Sequence, residues 1–317
     1  MQKRQLGQSG LEVFPLCFGG NVFGWTIGEA QSFKMLDGFT GAGLNFIDTA
    51  DIYSAWIPGN KGGESETIIG NWLNKGGKRQ QVILATKVGH EFSPERKGLA
   101  KKYIIESVEG SLKKLQTDYI DLYQSHRDDE TVPQEESLEA YEQLIKSGKV
   151  RAIGASNFRG DRLQSAVDAA KAKGLHSYQS LQPHYNLYER ADYETTLEPV
   201  CVKNGIGVIP YYSLARGFLS GKYRSEADLG KSARGGSVGQ NYLNDRGFRI
   251  LKALDEVAAE TSSNPAQVSL AWLMARPSIT APIASATKLE QLEDLVKSVS
   301  LKLPADAIKR LDVASAY

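Results

Sequence analysis

The feature that most constrains the fold is a regular alternation of short apolar runs and stretches with helical periodicity. The apolar, β-branched runs are "PLCFGG" (15–20), "LNFIDT" (44–49), "VILATK" (82–87), "YIDLYQSH" (119–126), "VRAIGAS" (150–156), "YQSLQPH" (178–184), "GVIPYYS" (207–213) and "ITAPIAS" (279–285). The clearest helical stretches between them are 64–75, 101–115, 134–148 and 161–174. In the third of these, Leu138, Tyr141, Leu144 and Ile145 recur on one helical face. Strands that alternate with helices indicate a parallel sheet.

The number of units favours a closed barrel. Eight strand–helix units in 317 residues, somewhat more than the ~250 typical of the fold, predict a (β/α)8 TIM barrel. An open doubly wound sheet is the alternative, and it is disfavoured because no predicted strand leads into a G-x-G-x-x-G turn; "CFGGNVFGW" is not that motif. No Pro/Ser linker or low-complexity tract divides the chain, so we expect one barrel domain over residues 1–317.

Two segments exceed the plain repeat. The first thirteen residues after Met1, "QKRQLGQSGLEVF", carry two turn glycines and predict an N-terminal β-hairpin that covers the barrel floor. The stretch from Lys222 to about Phe248, rich in Gly, Ser and Arg, predicts a long mobile loop after the seventh strand. Long loops in compact domains are usually functional.

Composition excludes several classes of function. The net charge is +1 without a basic run or an acidic tail, so neither nucleic acid nor an anionic membrane is an expected partner. Cys17 and Cys201 are far apart in apolar contexts and predict two buried thiols. The polar N-terminus and the lack of an apolar run of about 18 residues lead us to expect a soluble, cytoplasmic protein.

Polar side chains stand where the predicted strands end. Because the chemistry of such barrels gathers at the carboxyl ends of the strands, these side chains are expected to share one mouth. In strand order, from the second strand to the eighth, they are Asp48 with Tyr53, Lys87, His126, Ser156 with Asn157, Gln182, Tyr212 with Ser213, and Ser285. Each has an ordinary structural explanation, such as a helix cap or a core imidazole. Packing alone, however, does not require polar residues at the ends of seven successive strands.

The residue types suit the reduction of a carbonyl group. A phenol has a pKa of about 10, and a neighbouring ammonium favours its ionised form, which predicts a lowered pKa and a better proton donor. A carboxylate beside the ammonium compensates its burial, and an imidazole can orient a carbonyl oxygen. With no cluster of metal ligands and no reactive thiol in the sequence, the expected attacker at carbon is hydride from a reduced nicotinamide.

The chain resembles an aldo-keto reductase over essentially its whole length. The resemblance lies in an ordered set of fragments: "GLNFIDTADIYS", "ESE", "ATKVG", "DLYQSH", "VRAIGASNF", "LQPHYNL" and "PYYSLARGFLSGKY". It implies that Asp48, Tyr53, Lys87 and His126 are the catalytic residues and that Asp51 is structural. It is strongest with the bacterial branch that includes the potassium-channel β subunits.

The resemblance also implies a cofactor site. Ser156, Asn157 and Gln182 would hold the nicotinamide carboxamide, and Tyr212 would stack on its ring. The pyrophosphate would lie against Ser213, Leu214, Arg216, Gly217 and Lys222, with Arg234 of the long loop on the adenosine phosphate side, so that the loop acts as a cofactor latch. Further contacts are implied after the first and eighth strands, at Gly20, Asn21, Ser285, Thr287, Lys288 and Gln291.

Three departures from the family pattern affect specificity. Leu295 replaces an Asn that usually contacts adenine, while Lys288 can neutralise a 2′-phosphate, so NADPH is favoured and NADH is possible. His126 is followed by Arg127-Asp128 where many members carry Trp-Pro, which makes the substrate side more polar and leaves its aromatic wall to Trp25 and Trp56. Gly20-Asn21 stands where a Thr and a bulkier residue are frequent.

The sequence thus predicts NADPH-dependent, reversible reduction of aldehydes or ketones, with the oligomeric state open. One alternative is a cofactor-sensing regulatory subunit with little turnover. Another is a metal-dependent hydrolase, which needs clustered ligands, whereas His90, His126, His176 and His184 are dispersed in the sequence.

Overall fold

The computed structural model describes residues 2–317, in which eight parallel strands form a (β/α)8 barrel. The N-terminal strands are β1 (Arg4–Gln5) and β2 (Glu12–Val13), and the barrel strands are β3 (Cys17–Gly19), β4 (Phe46–Asp48), β5 (Ile83–Val88), β6 (Ile120–Ser125), β7 (Val150–Ser156), β8 (Ser180–Gln182), β9 (Gly207–Val208) and β10 (Ile283–Ala284). Neighbouring strands pair in chain order, and β10 also pairs with β3. The ring closes where Val208 O accepts from Thr280 N at 2.8 Å and Pro210 O accepts from Ile283 N at 2.9 Å.

Helices follow the strands around the barrel. They are α1 (Glu29–Gly41), α2 (Glu64–Asn74), α3 (Lys101–Leu115), α4 (Gln134–Lys146), α5 (Gly160–Lys173), α6 (Glu198–Asn204), α7 (Gly235–Tyr242), α8 (Asp245–Glu260), α9 (Pro265–Met274), α10 (Leu289–Ser300) and α11 (Ala305–Ala314). In α4, Leu138, Tyr141 and Leu144 are buried and Ile145 packs beside them, so the predicted apolar face is confirmed. No helix within residues 2–317 has the length and apolar content needed to cross a bilayer.

Prolines make the last three strands shorter than the apolar runs that predicted them. β8 ends before Pro183, β9 ends two residues before Pro210, and β10 begins after Pro282. A proline has no amide hydrogen to donate to a neighbouring strand, so regular pairing stops beside it. The shortening leaves the residues after Gln182 and Val208 free to form the mouth.

The predicted N-terminal hairpin is present and closes one end of the barrel. β1 pairs antiparallel with β2, with Arg4 opposite Val13. Leu6, Leu11 and Val13 are buried in one cluster with side chains from the barrel strands, among them Phe46 and Leu122. Their burial is worth roughly 1.5–3 kcal/mol per side chain, which fixes the hairpin as part of the core.

The segment after β9 differs from the prediction. Residues 222–248 were expected to form a long mobile loop, but they contain a 3-10 turn over Glu226–Lys231, helix α7 and the start of α8. Val238 and Tyr242, one helical turn apart, are buried, and the Tyr242 ring stacks on Phe218 at 5.3 Å. Tertiary burial has therefore overridden the low helix propensity of a glycine-rich sequence. The segment carries Arg234 to the mouth of the barrel.

Candidate active site

The carboxyl end of the barrel brings together Asp48, Tyr53 and Lys87, three of the polar residues predicted at the strand ends. Asp48 ends β4 and Lys87 lies near the end of β5. In the β4–β5 register both side chains face the interior of the barrel. The Lys87 ammonium donates to Asp48 Oδ2 at 2.6 Å, to Thr49 O at 2.8 Å and to Tyr53 OH at 2.9 Å. All three ammonium hydrogens are thus used, and Lys87 is 0% exposed. The contact between Lys87 and Tyr53 that the sequence predicted is present.

A second layer of amides holds the carboxylate. Asp48 Oδ1 accepts from Gln124 Nε2 at 3.0 Å and from Gln182 Nε2 at 2.9 Å. Gln182 Nε2 also lies 3.2 Å from Gln124 Oε1. Gln124 was not predicted as a site residue, although its position opposite Lys87 in the β5–β6 register places it in the same layer. A buried charge is stabilised only when its remaining lone pairs are satisfied, and these amides satisfy them.

Burial sets the acidity of the tyrosine. Burial raises the pKa of Tyr53 to about 12, and the opposing effect of the Lys87 ammonium is smaller. The ammonium does act to lower this pKa, but burial outweighs it, so the predicted net lowering was wrong. Burial also opposes the charge on Lys87, but Asp48 and Tyr53 outweigh it and raise the pKa of that ammonium. At neutral pH the pair is a protonated phenol beside a protonated lysine.

His126 follows β6 and stays neutral. Its ring lies edge-on to Tyr53, with centroids 6.0 Å apart, and contacts the His90 ring at 5.1 Å. Burial, together with the positive charge of Lys87, holds the pKa of His126 well below its usual value. A neutral imidazole can donate or accept a hydrogen bond beside Tyr53, which suits the orientation of a carbonyl oxygen. His90 was not assigned to the site from the sequence.

Ser156, Asn157 and Gln182 form one hydrogen-bonded group across β7 and β8. Ser156 Oγ donates to Gln182 O at 2.8 Å. Asn157 Nδ2 lies 2.9 Å from His126 O and 3.1 Å from Ser156 Oγ. The side-chain hydrogens of all three residues are thus committed to protein acceptors, while their oxygens retain free lone pairs.

The turn after β9 forms a cationic rim. Tyr212, Ala215, Arg216 and Gly217 all have positive φ angles, and the Arg216 guanidinium lies 4.7 Å from the centre of the Tyr212 ring. A Cβ at Gly217 would come within 2.9 Å of the Lys222 side chain, so glycine permits this close approach. The amides of Ser213 and Leu214 donate to no acceptor within residues 2–317.

Arg216, Lys222 and Arg234 have no carboxylate within 4 Å in the described part of the chain. Arg234 instead lies over Trp25, with its guanidinium 5.1 Å from the ring. Free amides and cations without acidic partners make this rim suited to an anion.

The residues predicted to contact the cofactor after the first and eighth barrel strands differ in their surroundings. Ser285 Oγ lies 2.7 Å from Gly19 O and 2.8 Å from Asn21 Oδ1, which joins β10 to β3. Gln291 Oε1 accepts from Thr287 N at 2.9 Å, and Lys288 is exposed immediately before α10. A Cβ at Gly20 would lie 3.0 Å from Ser65 Oγ, so this glycine serves close packing against the α2 segment.

The predicted substrate wall is assembled from two loops. Trp25 and Trp56 meet edge-on at 5.6 Å, and Trp56 lies 6.2 Å from the Tyr53 ring. Arg127 is exposed and has no carboxylate partner within the described residues, because the adjacent Asp128 is paired with Arg162 at 2.6 Å. The wall is therefore aromatic on one side and cationic on the other.

The barrel carries at its carboxyl face a buried Lys87–Asp48 pair in contact with Tyr53, a neutral histidine and a cationic rim. These are features of the barrel enzymes that act on small molecules. A sequence model described as the Aldo/keto reductase family matches residues 15–316. The chain belongs to this family, as the fragments in its sequence had indicated.

Its relatives include oxidoreductases and a probable channel subunit. The chain is 36% identical to an uncharacterized oxidoreductase, YrpG, of Bacillus subtilis, over 98% of this chain and 95% of that protein. It is 30% identical to the versiconal hemiacetal acetate reductase of Aspergillus parasiticus, over 98% and 96%. It is also 31% identical to a probable voltage-gated potassium channel subunit beta of Oryza sativa, over 95% and 92%. The family and these oxidoreductase relatives support an oxidoreductase.

Proposed function

We propose that this protein, as one barrel domain over residues 1–317, reduces aldehydes or ketones to alcohols with NADPH in the cytoplasm. The observation that carries the proposal is the Lys87 ammonium held between Asp48 and Tyr53 at the barrel mouth. In this arrangement Tyr53 OH donates the proton to the carbonyl oxygen, and His126 orients that oxygen. Lys87 stabilises the phenolate left behind, and Asp48 keeps the ammonium charged. The reverse reaction oxidises the alcohol.

The residues at the mouth fit a nicotinamide dinucleotide. Ser156, Asn157 and Gln182 offer hydrogen-bond acceptors that match the NH2 of a carboxamide, and Tyr212 offers a ring face. The cationic rim and the free amides suit a pyrophosphate. When bound, the reduced nicotinamide supplies hydride to the carbonyl carbon.

Lys288 and Arg234 would meet the adenosine phosphate side, which favours NADPH over NADH. Lys288→Met is therefore expected to weaken NADPH binding more than NADH binding, measured by quenching of protein fluorescence. If the variant bound NADPH and NADH equally more weakly, Lys288 would not contact the 2′-phosphate.

The decisive experiment compares Tyr53→Phe with the wild-type protein. We expect the variant to bind NADPH with nearly unchanged affinity and to lose about 10²–10⁴-fold in turnover, the usual contribution of a positioned general acid. Substrates would be a panel of aldehydes and ketones, with NADPH consumption followed in the steady state. Wild-type turnover in Tyr53→Phe would show that Tyr53 is not the acid.

The potassium-channel relatives favour one alternative, a regulatory subunit that senses cofactor and turns over slowly. The two functions differ in kinetics. Repeated turnover of NADPH with any member of the aldehyde panel supports the reductase, whereas a single slow turnover on tightly bound nucleotide supports the sensor.

A further inference from the structure

We infer that His90 is a specificity-determining residue, whose Nε2 atom binds a hydroxyl group on the carbon next to the substrate carbonyl. The inference rests on the proposed function and deepens it, because it names the substituent that the substrate pocket selects. The resemblance to the family gives roles to Lys87 and to His126, but none to His90.

Two neighbouring strands bring His90 beside His126. β5 ends at Val88, and His126 N donates to Val88 O at 2.8 Å, so the chain after β6 is fixed to the end of β5. Gly89 then turns the chain with a φ of 101°, and Gly98 N donates to Gly89 O at 3.1 Å, which closes the turn. The rings of His90 and His126 consequently meet edge-on, with centroids 5.1 Å apart.

Each of these two rings offers one nitrogen to the mouth of the barrel. Nδ1 of His90 and Nδ1 of His126 are buried and have no hydrogen-bond partner within residues 2–317. Both side chains are half-buried, and neither Nε2 is hydrogen-bonded to a residue in that range. The His126 ring lies 6.0 Å from the ring of Tyr53, the proposed proton donor. With Tyr53 and His126 on the reacting oxygen, His90 is placed for a substituent on the adjacent carbon.

A hydroxyl group is the substituent that pairs with His90 in either tautomer. Burial lowers the pKa of His90, and the charge of Arg127 lowers it further, so the ring is neutral at neutral pH. A neutral imidazole has one donor nitrogen and one acceptor nitrogen, whereas a hydroxyl can both donate and accept. A methyl group in the same place would leave Nε2 without a partner and without water, which is unfavourable. The pocket should therefore discriminate a 2-hydroxyaldehyde from its 2-methyl analogue.

The test compares 2-hydroxypropanal with 2-methylpropanal, which differ only in this substituent. The ratio of their kcat/KM values, with NADPH as cofactor, is measured for the wild type, His90→Phe and His90→Asn. Phenylalanine keeps an aromatic ring against His126 but has no hydrogen-bonding atom, and asparagine restores a donor and an acceptor. A net hydrogen bond of ~0.5–1.5 kcal/mol corresponds to about two- to tenfold. We expect the ratio to fall by about that factor in His90→Phe, through the hydroxyaldehyde alone, and to recover at least in part in His90→Asn.

The matched control is His176→Phe, the same substitution at the amino end of β8, away from the mouth. The His176 ring lies 2.7 Å from Glu142 Oε2, and we expect its replacement to leave the ratio unchanged. An unchanged ratio in His90→Phe overturns the inference. So does an equal loss with both aldehydes, because His90 would then only support the His126 ring. If the wild type reduced neither aldehyde nor any other member of the carbonyl panel, the proposed function would fail and the inference with it, which is a result distinct from an unchanged ratio.

Discussion

Removing the charge of Asp48 should destabilise the whole barrel as well as the site. Lys87 and Asp48 are 0% and 1% exposed and their charged atoms lie 2.6 Å apart. In Asp48→Asn the ammonium stays buried without a charge partner, and the single amide oxygen can accept either from Lys87 or from the two glutamine amides, but not from both. The loss is therefore that of the charge partner and of one set of hydrogen bonds, for which we expect a decrease of about 3–5 kcal/mol in the free energy of unfolding. This is a factor of roughly 10²–10³ or more in the unfolding equilibrium.

Urea unfolding followed by far-UV circular dichroism measures this difference. Asp306→Asn is the matched control, because Asp306 is 75% exposed and lies 3.5 Å from Arg310. An exposed pair of this kind contributes about 0–1 kcal/mol, so the control should unfold almost like the wild type.

The double variant separates pairing from other effects. Lys87→Met alone leaves the Asp48 carboxylate buried with two amide donors, and it too should be strongly destabilised. When both charges are absent, neither is left uncompensated, so the double variant should lose at least 1–2 kcal/mol less than the sum of the singles. Additive losses, or a loss below 1 kcal/mol in Asp48→Asn, would refute the view that the pair holds this end of the barrel.

Two further predictions concern the mouth. Arg127 is exposed and has no acidic partner, so it can attract a negatively charged substrate. Arg127→Gln should therefore lower kcat/KM for 4-carboxybenzaldehyde about tenfold and change kcat/KM for benzaldehyde less than about twofold. Equal effects on the two substrates would place Arg127 outside the substrate site. Burial lowers the pKa of His184 to about 4, so this side chain stabilises the fold above pH ~6.5 and that contribution is lost as the pH falls towards 4. The melting temperature of His184→Gln should therefore fall less than that of the wild type between pH 6.5 and 4.

Periodicity in the sequence predicted the fold because each unit has its own pattern. The run 150–156 coincides with β7, and the stretch 101–115 coincides with α3. Patterning could not predict α7, since Gly235, Gly236 and Gly239 oppose a helix and only the burial of Val238 and Tyr242 stabilises it. Local sequence carries local preference, whereas α7 depends on contacts from distant parts of the chain.

Local sequence likewise predicted only part of the candidate site. Position after a strand was enough to bring Asp48, Lys87 and Tyr53 together, because parallel strands end at one face. Gln124 acts through Asp48, and the sequence around Gln124 does not identify that partner. Alternation along β6 does place Gln124 inside the barrel, so that residue was within reach of the pattern. The direction of the Tyr53 pKa was predicted wrongly because the pairwise charge was considered without the larger effect of burial.

That raised pKa makes the two directions of the reaction respond differently to pH. Reduction needs the protonated phenol, and with a pKa of about 12 its rate should stay level from pH 7 to 10 as far as Tyr53 is concerned. Oxidation needs the phenolate, whose fraction rises tenfold per pH unit below 12, so its rate should rise with pH over the same range. Lys87 favours the phenolate and His126 stays neutral throughout, so neither should add a transition there. Initial rates in both directions measure this, and a fall in reduction with an apparent pKa near 8 would show that another group supplies the proton.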